Sequence, residues 1–173
     1  MQVWRVIPDS ADPRRGRVVG PSIDIPCALG RAGVVGAAEK REGDGKTPTG
    51  TSPFRQAFFS ADKITPPKSV LTATPISTAL GWCDDPMDAH YNQLVQLPYA
   101  ARHEKMWRDD NLYDVVLVIG HNDAPPAPNL GSAIFVHVAK QSFLPTEGCV
   151  ALERADLVTL LSLIKAGDAL QIG

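Results

Sequence analysis

A cysteine and a histidine near the end of the chain are the two side chains best suited to chemistry. His137 lies within the apolar run AIFVHVA, residues 133–139, and Cys149 follows Gly148 further along the chain. A thiol becomes a strong nucleophile when a neighbouring base or cation takes up its proton. His137 and Cys149 could therefore be the base and the nucleophile of a cysteine enzyme. The more common alternative is a satisfied core histidine and a buried free cysteine.

The predicted elements indicate how these two side chains could meet. Alternation along the strand of residues 133–139 puts His137 on the face opposite Val136 and Val138. Cys149 precedes a predicted helix, so its backbone N–H should lie near a helix start. N–H groups there favour a thiolate and stabilise an oxyanion. A strand histidine and a cysteine before a helix can then face one cleft.

The composition is that of an ordinary globular protein. The chain has 173 residues, a net charge of −2 and 44% hydrophobic residues, which suit a single domain over residues 1–173. This net charge gives no electrostatic sign of nucleic-acid binding. The longest apolar runs, residues 115–120 and 157–164, are too short for a membrane span. No secretory signal is visible at the N-terminus, and oligomeric state is not readable.

Three cysteines are too few and too scattered for a disulfide framework. Cys27 and Cys83 could pair in an oxidising compartment, and the odd number leaves at least one thiol free. A zinc site built from His121, His137 and Cys149 would lack the usual paired ligand spacing. We therefore expect no metal.

Short apolar segments between 14 glycines and 15 prolines predict a mainly β protein with a few helices. Candidate strands are residues 3–7, 17–25, 32–36, 53–60, 113–120, 133–139 and 169–172. This number and spacing favour a mixed sheet or a β-sandwich over alternating βαβ units. Helices are predicted over residues 99–107 and 153–165, the second from a leucine stripe. Residues 41–50, REGDGKTPTG, predict a tight hairpin turn.

Three blocks of sequence follow one another over residues 43–172. They are GDGKTPTG at 43–50, a strand ending in His137 and Val138, and PTEGCVAL at 145–152. Together they resemble the L,D-transpeptidase catalytic domain, the YkuD-type fold of cell-wall cross-linking enzymes. Those domains end in a Ser/Thr-His-Gly-Cys-Ile/Val-x-Leu signature, with a histidine on an earlier strand. The residues that match the signature are Thr146, Gly148, Cys149, Val150 and Leu152.

Two positions depart from this signature. Glu147 stands where a second histidine is usual, and Ala151 stands where arginine or asparagine is common. A carboxylate beside Cys149 would oppose thiolate formation unless it points away or pairs with a cation. The interval between His137 and Cys149 is also shorter than usual, which implies a smaller loop beside the cleft.

The resemblance implies a mechanism for the candidate catalytic residues Cys149, His137 and Gly148. Cys149 would attack an L-centre carbonyl of a peptidoglycan stem peptide, and His137 would hold and return the proton. Backbone N–H groups around Gly148 and Cys149 would stabilise the oxyanion. The thioester would pass to an amine of a second stem peptide, with 1,3 cross-links as one possible product. The resemblance implies no cofactor, and its substrate implies the periplasm or cell envelope.

Five further residues are candidates for binding the stem peptide: Thr146, His121, Asn122, Tyr91 and Trp82. His121 and Asn122 could instead begin a turn, and a tryptophan is often partial core. A stiff proline-rich loop, residues 124–128, could narrow the cleft. Two other functions stay open. One is hydrolysis of the same thioester by an L,D-carboxypeptidase or amidase, and the other is a non-catalytic wall-binding module.

Overall fold

The computed structural model describes residues 2–173, which contain thirteen strands and one α-helix. The strands are β1 Val3–Pro8, β2 Arg15–Val19, β3 Asp24–Ala28, β4 Val34–Gly36, β5 Thr47–Phe59, β6 Ala73–Pro75, β7 Leu80–Cys83, β8 Leu94–Gln96, β9 His103–Lys105, β10 Val115–Ile119, β11 Phe135–Val138, β12 Val150–Leu152 and β13 Ala169–Ile172. Helix α1 is Arg154–Leu163, and 3₁₀ turns occupy Ala37–Glu39 and Gln141–Phe143. The predicted mainly β class is confirmed.

Ten of these strands form one mixed sheet that closes on itself. Its order is β10-β11-β12-β3-β2-β1-β13-β5-β4, with β6 beside β5. β10 also pairs antiparallel with β5, with Leu117 opposite Ala57, which joins the start of this path to β5. β11 and β12 pair parallel, as do β1 and β13. The sheet is therefore mixed, as predicted.

Apolar side chains cover both faces of this sheet near β11. On one face, Val136 of β11 and Val150 of β12 join Leu157 and Leu160 of α1 in the larger core cluster. Each such side chain contributes about 1.5–3 kcal/mol when it is fully buried. On the other face, Phe135 belongs to a second cluster, which the three-stranded sheet β8-β7-β9 covers. His137 shares the face of Phe135, so it lies beneath this smaller sheet.

Five predicted strands match observed strands to within two residues at each end, and the helix over 153–165 forms as α1. The run over residues 17–25 instead divides into β2 and β3, which form a hairpin. Gly20 lies in the turn between them, and a Cβ there would lie 2.2 Å from the Trp4 ring. The close packing of Trp4 therefore requires glycine where the strand breaks.

Residues 99–107 do not form the predicted helix, because His103–Lys105 is strand β9. β9 pairs antiparallel with β7, and Glu104 lies opposite Trp82. A segment of this length gains too few helical hydrogen bonds to be stable alone. The edge of an existing sheet therefore decides its conformation.

The turn of residues 41–50 is not a hairpin, because β4 and β5 pair parallel with Val34 opposite Thr47. Thr47 is fully buried, and its Oγ1 accepts the Gly30 N–H at 2.8 Å. Strand β5 consequently begins at Thr47 and not at the predicted residue 53. The glycine-rich part of the segment supplies the turn, and the threonines belong to the strand.

Candidate active site

His137 lies on strand β11, and Cys149 directly precedes the neighbouring strand β12. In the parallel register of β11 and β12, Ala151 lies opposite His137. Paired residues point to the same side of a sheet, and alternation puts Cys149 on the side of Ala151. The two residues are therefore offset by one strand spacing of about 4.8 Å and by two residues, about 6.6 Å, along the strand.

Both side chains line an open cavity of about 470 Å³. Basic side chains at its wall are Lys40, Arg108 and Lys140, and Asp84 and Glu104 are among the acidic ones. A volume in this range is typical of sites that bind small ligands. The imidazole and the thiol therefore share a groove that solvent and a peptide can reach.

The start of β11 holds the Cys149 thiol in place. Sγ donates a hydrogen bond to the Ala133 carbonyl at 3.2 Å and accepts the Phe135 N–H at 3.4 Å. The residue keeps partial exposure to the cavity. The protein packed around the sulfur nevertheless desolvates a thiolate and raises the pKa of Cys149 to about 12, against the opposing effect of the Phe135 N–H. At neutral pH, Cys149 is therefore a thiol.

Cys149 does not lie at a helix start. Strand β12, Val150–Leu152, follows it, and α1 begins only at Arg154. The field of a helix terminus falls off beyond its first turn. The prediction that helix N–H groups would favour the thiolate is therefore wrong.

The His137 imidazole is buried and holds a single tautomer. Nδ1 lies 2.8 Å from the Val138 carbonyl oxygen, which can only accept, so Nδ1 carries the proton and Nε2 keeps its lone pair. The Tyr113 ring packs edge-on at 5.6 Å between centroids. Burial lowers the pKa of His137 to about 4, although the Val138 carbonyl opposes that effect. The side chain is therefore a neutral base at neutral pH.

Gly148 and Thr146 shape the turn that presents Cys149. Gly148 has a φ of +137°, and a Cβ there would lie 2.8 Å from the Lys46 carbonyl oxygen. Its N–H donates to Thr146 Oγ1 at 3.1 Å, and the Thr146 hydroxyl donates to the Cys149 carbonyl at 2.7 Å. Within residues 2–173 the Cys149 N–H has no acceptor. The Glu147 N–H likewise has none, so the Cys149 N–H is one of two backbone donors of this turn that remain for an oxyanion.

Glu147 points away from the thiol. Its side chain is 77% exposed and accepts a hydrogen bond from Arg31 Nε at 2.9 Å. The carboxylate whose charge raises the pKa of Cys149 is instead Glu104, which also lines the cavity. The departure from the family signature at residue 147 thus places a solvated ion pair at the rim.

His121 and Asn122 hold the loop between β10 and β11. His121 Nε2 donates to the Leu130 carbonyl at 2.9 Å. Asn122 donates to the Ala127 carbonyl and accepts the Ala127 N–H at 2.8 Å. Among the described residues, neither side chain lines the cavity, and residues 124–128 do not line it either.

Trp82 and Tyr91 are buried behind the cavity wall. Trp82 Nε1 donates to Asn92 Oδ1 at 2.9 Å. The Tyr91 hydroxyl donates to Glu42, whose carboxylate does line the cavity. Of the five predicted peptide-binding residues, Thr146 alone reaches the wall in the part of the chain that the structure describes.

The predicted site residues do not include three side chains that line this cavity: Lys40, Glu104 and Tyr113. Lys40 is only 2% exposed. The Tyr113 hydroxyl donates to Glu104, and burial raises the pKa of that carboxyl. Lysine and glutamate are rarely buried, so their residue types predict a solvated surface. The one available signal was the spacing of Lys40 and Asp44, which suits an ion pair.

All three cysteines are free, so Cys27 and Cys83 do not pair. Cys27 lies in the larger core cluster, and Cys83 ends strand β7. Across residues 2–173, no three side chains of the His, Cys, Asp and Glu types gather closely enough to hold a metal ion. Among the same residues, no helix is long and apolar enough to cross a membrane.

A family model described as YkuD, L,D-transpeptidase catalytic domain, matches residues 13–172. No curated protein and no solved structure matches the chain.

Proposed function

Because this chain belongs to the YkuD family of L,D-transpeptidase catalytic domains, we propose that it cross-links peptidoglycan through a thioester on Cys149. The observation that carries the proposal is the common cavity lined by the Cys149 thiol and the His137 imidazole. The family acts on peptidoglycan, and this substrate assigns the protein to the periplasm or cell envelope.

The reaction begins with both groups uncharged. A pKa of about 12 for Cys149 and of about 4 for His137 disfavours a standing thiolate–imidazolium pair at neutral pH. The proton therefore leaves Sγ for His137 Nε2 as the sulfur attacks, which is general base catalysis. The hydrogen bond from Nδ1 to Val138 keeps the ring in the tautomer that can accept this proton.

Acylation forms one bond and breaks another. Sγ bonds to the L-centre carbonyl carbon of the first stem peptide, and the carbonyl π electrons move onto oxygen. The Cys149 N–H, which has no acceptor among the described residues, can donate to that oxyanion. When the intermediate collapses, the C–N bond breaks and the proton on His137 passes to the leaving amine. A thioester remains on Cys149.

Transfer reverses these steps with a second stem peptide. Its amine attacks the thioester, loses a proton to His137, and expels the Cys149 thiolate, which recovers a proton from His137. A stem peptide carries both amines and carboxylates. Arg108 and Lys140 can pair with the carboxylates, and Glu104 with an ammonium group.

Incubation with purified muropeptides and mass spectrometry of the products test this proposal. We expect dimers from the wild type and none from Cys149→Ala, and fragment masses distinguish 1,3 from 3,3 links. Shortened monomers without dimers would contradict transfer and indicate hydrolysis, as in an L,D-carboxypeptidase. Wall binding without any product would favour the non-catalytic module.

A further inference from the structure

Lys40 is a buried cation at the wall of the catalytic cavity. Its side chain is 2% exposed, yet it contributes to the cavity lining. The stem of the side chain passes over Gly131, where an added Cβ would lie 2.9 Å from Lys40 Cε. Burying an ammonium group costs free energy unless it is paired and hydrogen-bonded. The position therefore has to be held by specific partners.

Within residues 2–173, the Lys40 ammonium has two hydrogen-bond acceptors. It donates to the Asp44 carboxylate and to the Arg41 carbonyl, the latter at 3.1 Å. Asp44 also accepts the backbone N–H groups of Arg41 and Lys46, at 2.9 and 2.8 Å. An ammonium group has three donor hydrogens. One hydrogen of Lys40 therefore has no acceptor in the described chain.

The ammonium lies beside the turn that presents the nucleophile. Lys40 Nζ is 3.5 Å from the position that a Cβ on Gly148 would occupy. Because Gly148 has no side chain, the ammonium group can lie close to the turn next to Cys149. The Lys40 charge also lowers the pKa of Cys149, against the larger effect of burial. The cation is therefore close enough to act on charge that forms at the thiol.

We propose that Lys40 donates its third hydrogen to the oxyanion formed when Cys149 attacks a substrate carbonyl. The inference rests on the proposed function and adds a charged donor to the Cys149 N–H. The carbonyl π electrons move onto oxygen as the S–C bond forms, and Lys40 keeps its proton throughout. A fixed cation that is itself shielded from water, as Lys40 is, stabilises this charge more strongly than a solvated one.

Two reactions of Cys149 separate this role from a structural one. Acylation by 4-nitrophenyl acetate passes through an oxyanion, whereas alkylation by iodoacetamide does not. Both reactions require Sγ to lose its proton, so the ratio of their rates largely cancels an effect of Lys40 on the ionisation of the thiol. Lys40→Met removes the charge at similar length. We expect this variant to lower the ratio by about 10²–10³-fold, as the loss of one oxyanion donor does.

Lys68→Met is the matched control, because Lys68 is exposed and its variant should keep the wild-type ratio. Lys40→Gln retains a donor for Asp44 and gives the same comparison if Lys40→Met does not fold. An unchanged ratio in a folded Lys40 variant would overturn the role of Lys40 alone. A wild type that neither the ester nor muropeptides acylate would overturn the proposed function instead.

Discussion

Cys149 directly precedes strand β12, and continuing the register puts it on the same face as His137 of the parallel neighbour β11, offset by two positions. The sheet fixes His137 within β11 and, through the pair of Val136 with Val150, the residue directly after Cys149, so the offset does not depend on a long loop. The Val138 carbonyl fixes the imidazole tautomer, and the Ala133 carbonyl fixes the thiol. Placing one group on a strand and the other at the start of its neighbour gives the precision that a reacting pair requires.

His137→Gln should remove the base while keeping a polar side chain of similar size. We expect formation of muropeptide dimers to fall by about 10²–10⁴-fold, the usual contribution of a general base. His90→Gln is the control, because His90 is exposed on the small sheet's loop and away from the cavity lining. Dimer formation that survives in His137→Gln would contradict the assigned base.

The alkylation rate of Cys149 should rise by about tenfold per pH unit from pH 6 to pH 9 without a plateau. The reason is that burial raises the pKa of the thiol to about 12, so the thiolate fraction keeps growing over this range. Iodoacetamide labelling followed by mass spectrometry measures the rate. Glutathione, whose thiol is solvated, serves as the reference that levels off. A plateau near pH 7 for Cys149 would mean that a thiolate–imidazolium pair exists at rest.

The pH dependence of the free energy of unfolding should show that His137 is buried and neutral in the folded protein. Its pKa falls from 6.5 to about 4 on folding, so between these values the unfolded chain binds a proton that the folded chain does not. The contribution of the buried, neutral His137 to the free energy of unfolding is therefore complete above pH 6.5 and is lost as the pH falls towards 4. Between pH 7 and pH 5 we expect a loss of about 2 kcal/mol that His137→Gln does not show.

Urea titrations of both proteins at the two pH values measure this difference. Burial also lowers the pKa of His121, but that residue is present in both proteins, so its effect cancels. Equal losses for wild type and variant would show that His137 does not carry the dependence.

Asn92→Ala should destabilise the protein and leave the Cys149 thiol less firmly positioned. Asn92 Oδ1 accepts Trp82 Nε1 and the Ala133 N–H, and Nδ2 donates to the His121 carbonyl at 3.0 Å. Removing the amide leaves these buried groups unpaired, at a cost of about 3 kcal/mol. Because Ala133 holds Cys149, dimer formation should fall as well. Chemical denaturation measures the loss, and a change below about 1 kcal/mol would contradict the network.

Glu104 and Glu147 should affect the thiol differently. Glu104→Gln removes a charge that raises the pKa of Cys149, so alkylation should become several-fold faster at neutral pH. Glu147→Gln removes an exposed carboxylate that pairs with Arg31, and the alkylation rate should stay the same. Glu147→Gln should change the free energy of unfolding by less than about 1 kcal/mol, as for other exposed ion pairs. The opposite ranking of the two alkylation rates would place Glu147 at the thiol.

Local pattern in the sequence was sufficient for much of the framework. Alternation along residues 133–139 correctly put His137 opposite Val136 and Val138, since a strand's side chains alternate whatever lies beside it. The leucine stripe of residues 153–165 likewise predicted α1. The candidate pair His137 and Cys149 came from residue types and from the order of the family motifs, both of which are properties of the chain itself.

Tertiary structure decided the rest, because the deciding contacts join distant parts of the chain. Residues 99–107 became a strand through pairing with β7. Burial by the surrounding core, and not the sequence next to them, sets the uncharged states of His137 and Cys149. Lys40 reaches Gly148 across more than half of the chain. No local pattern encodes these neighbours, since each depends on how the closed sheet brings its strands together.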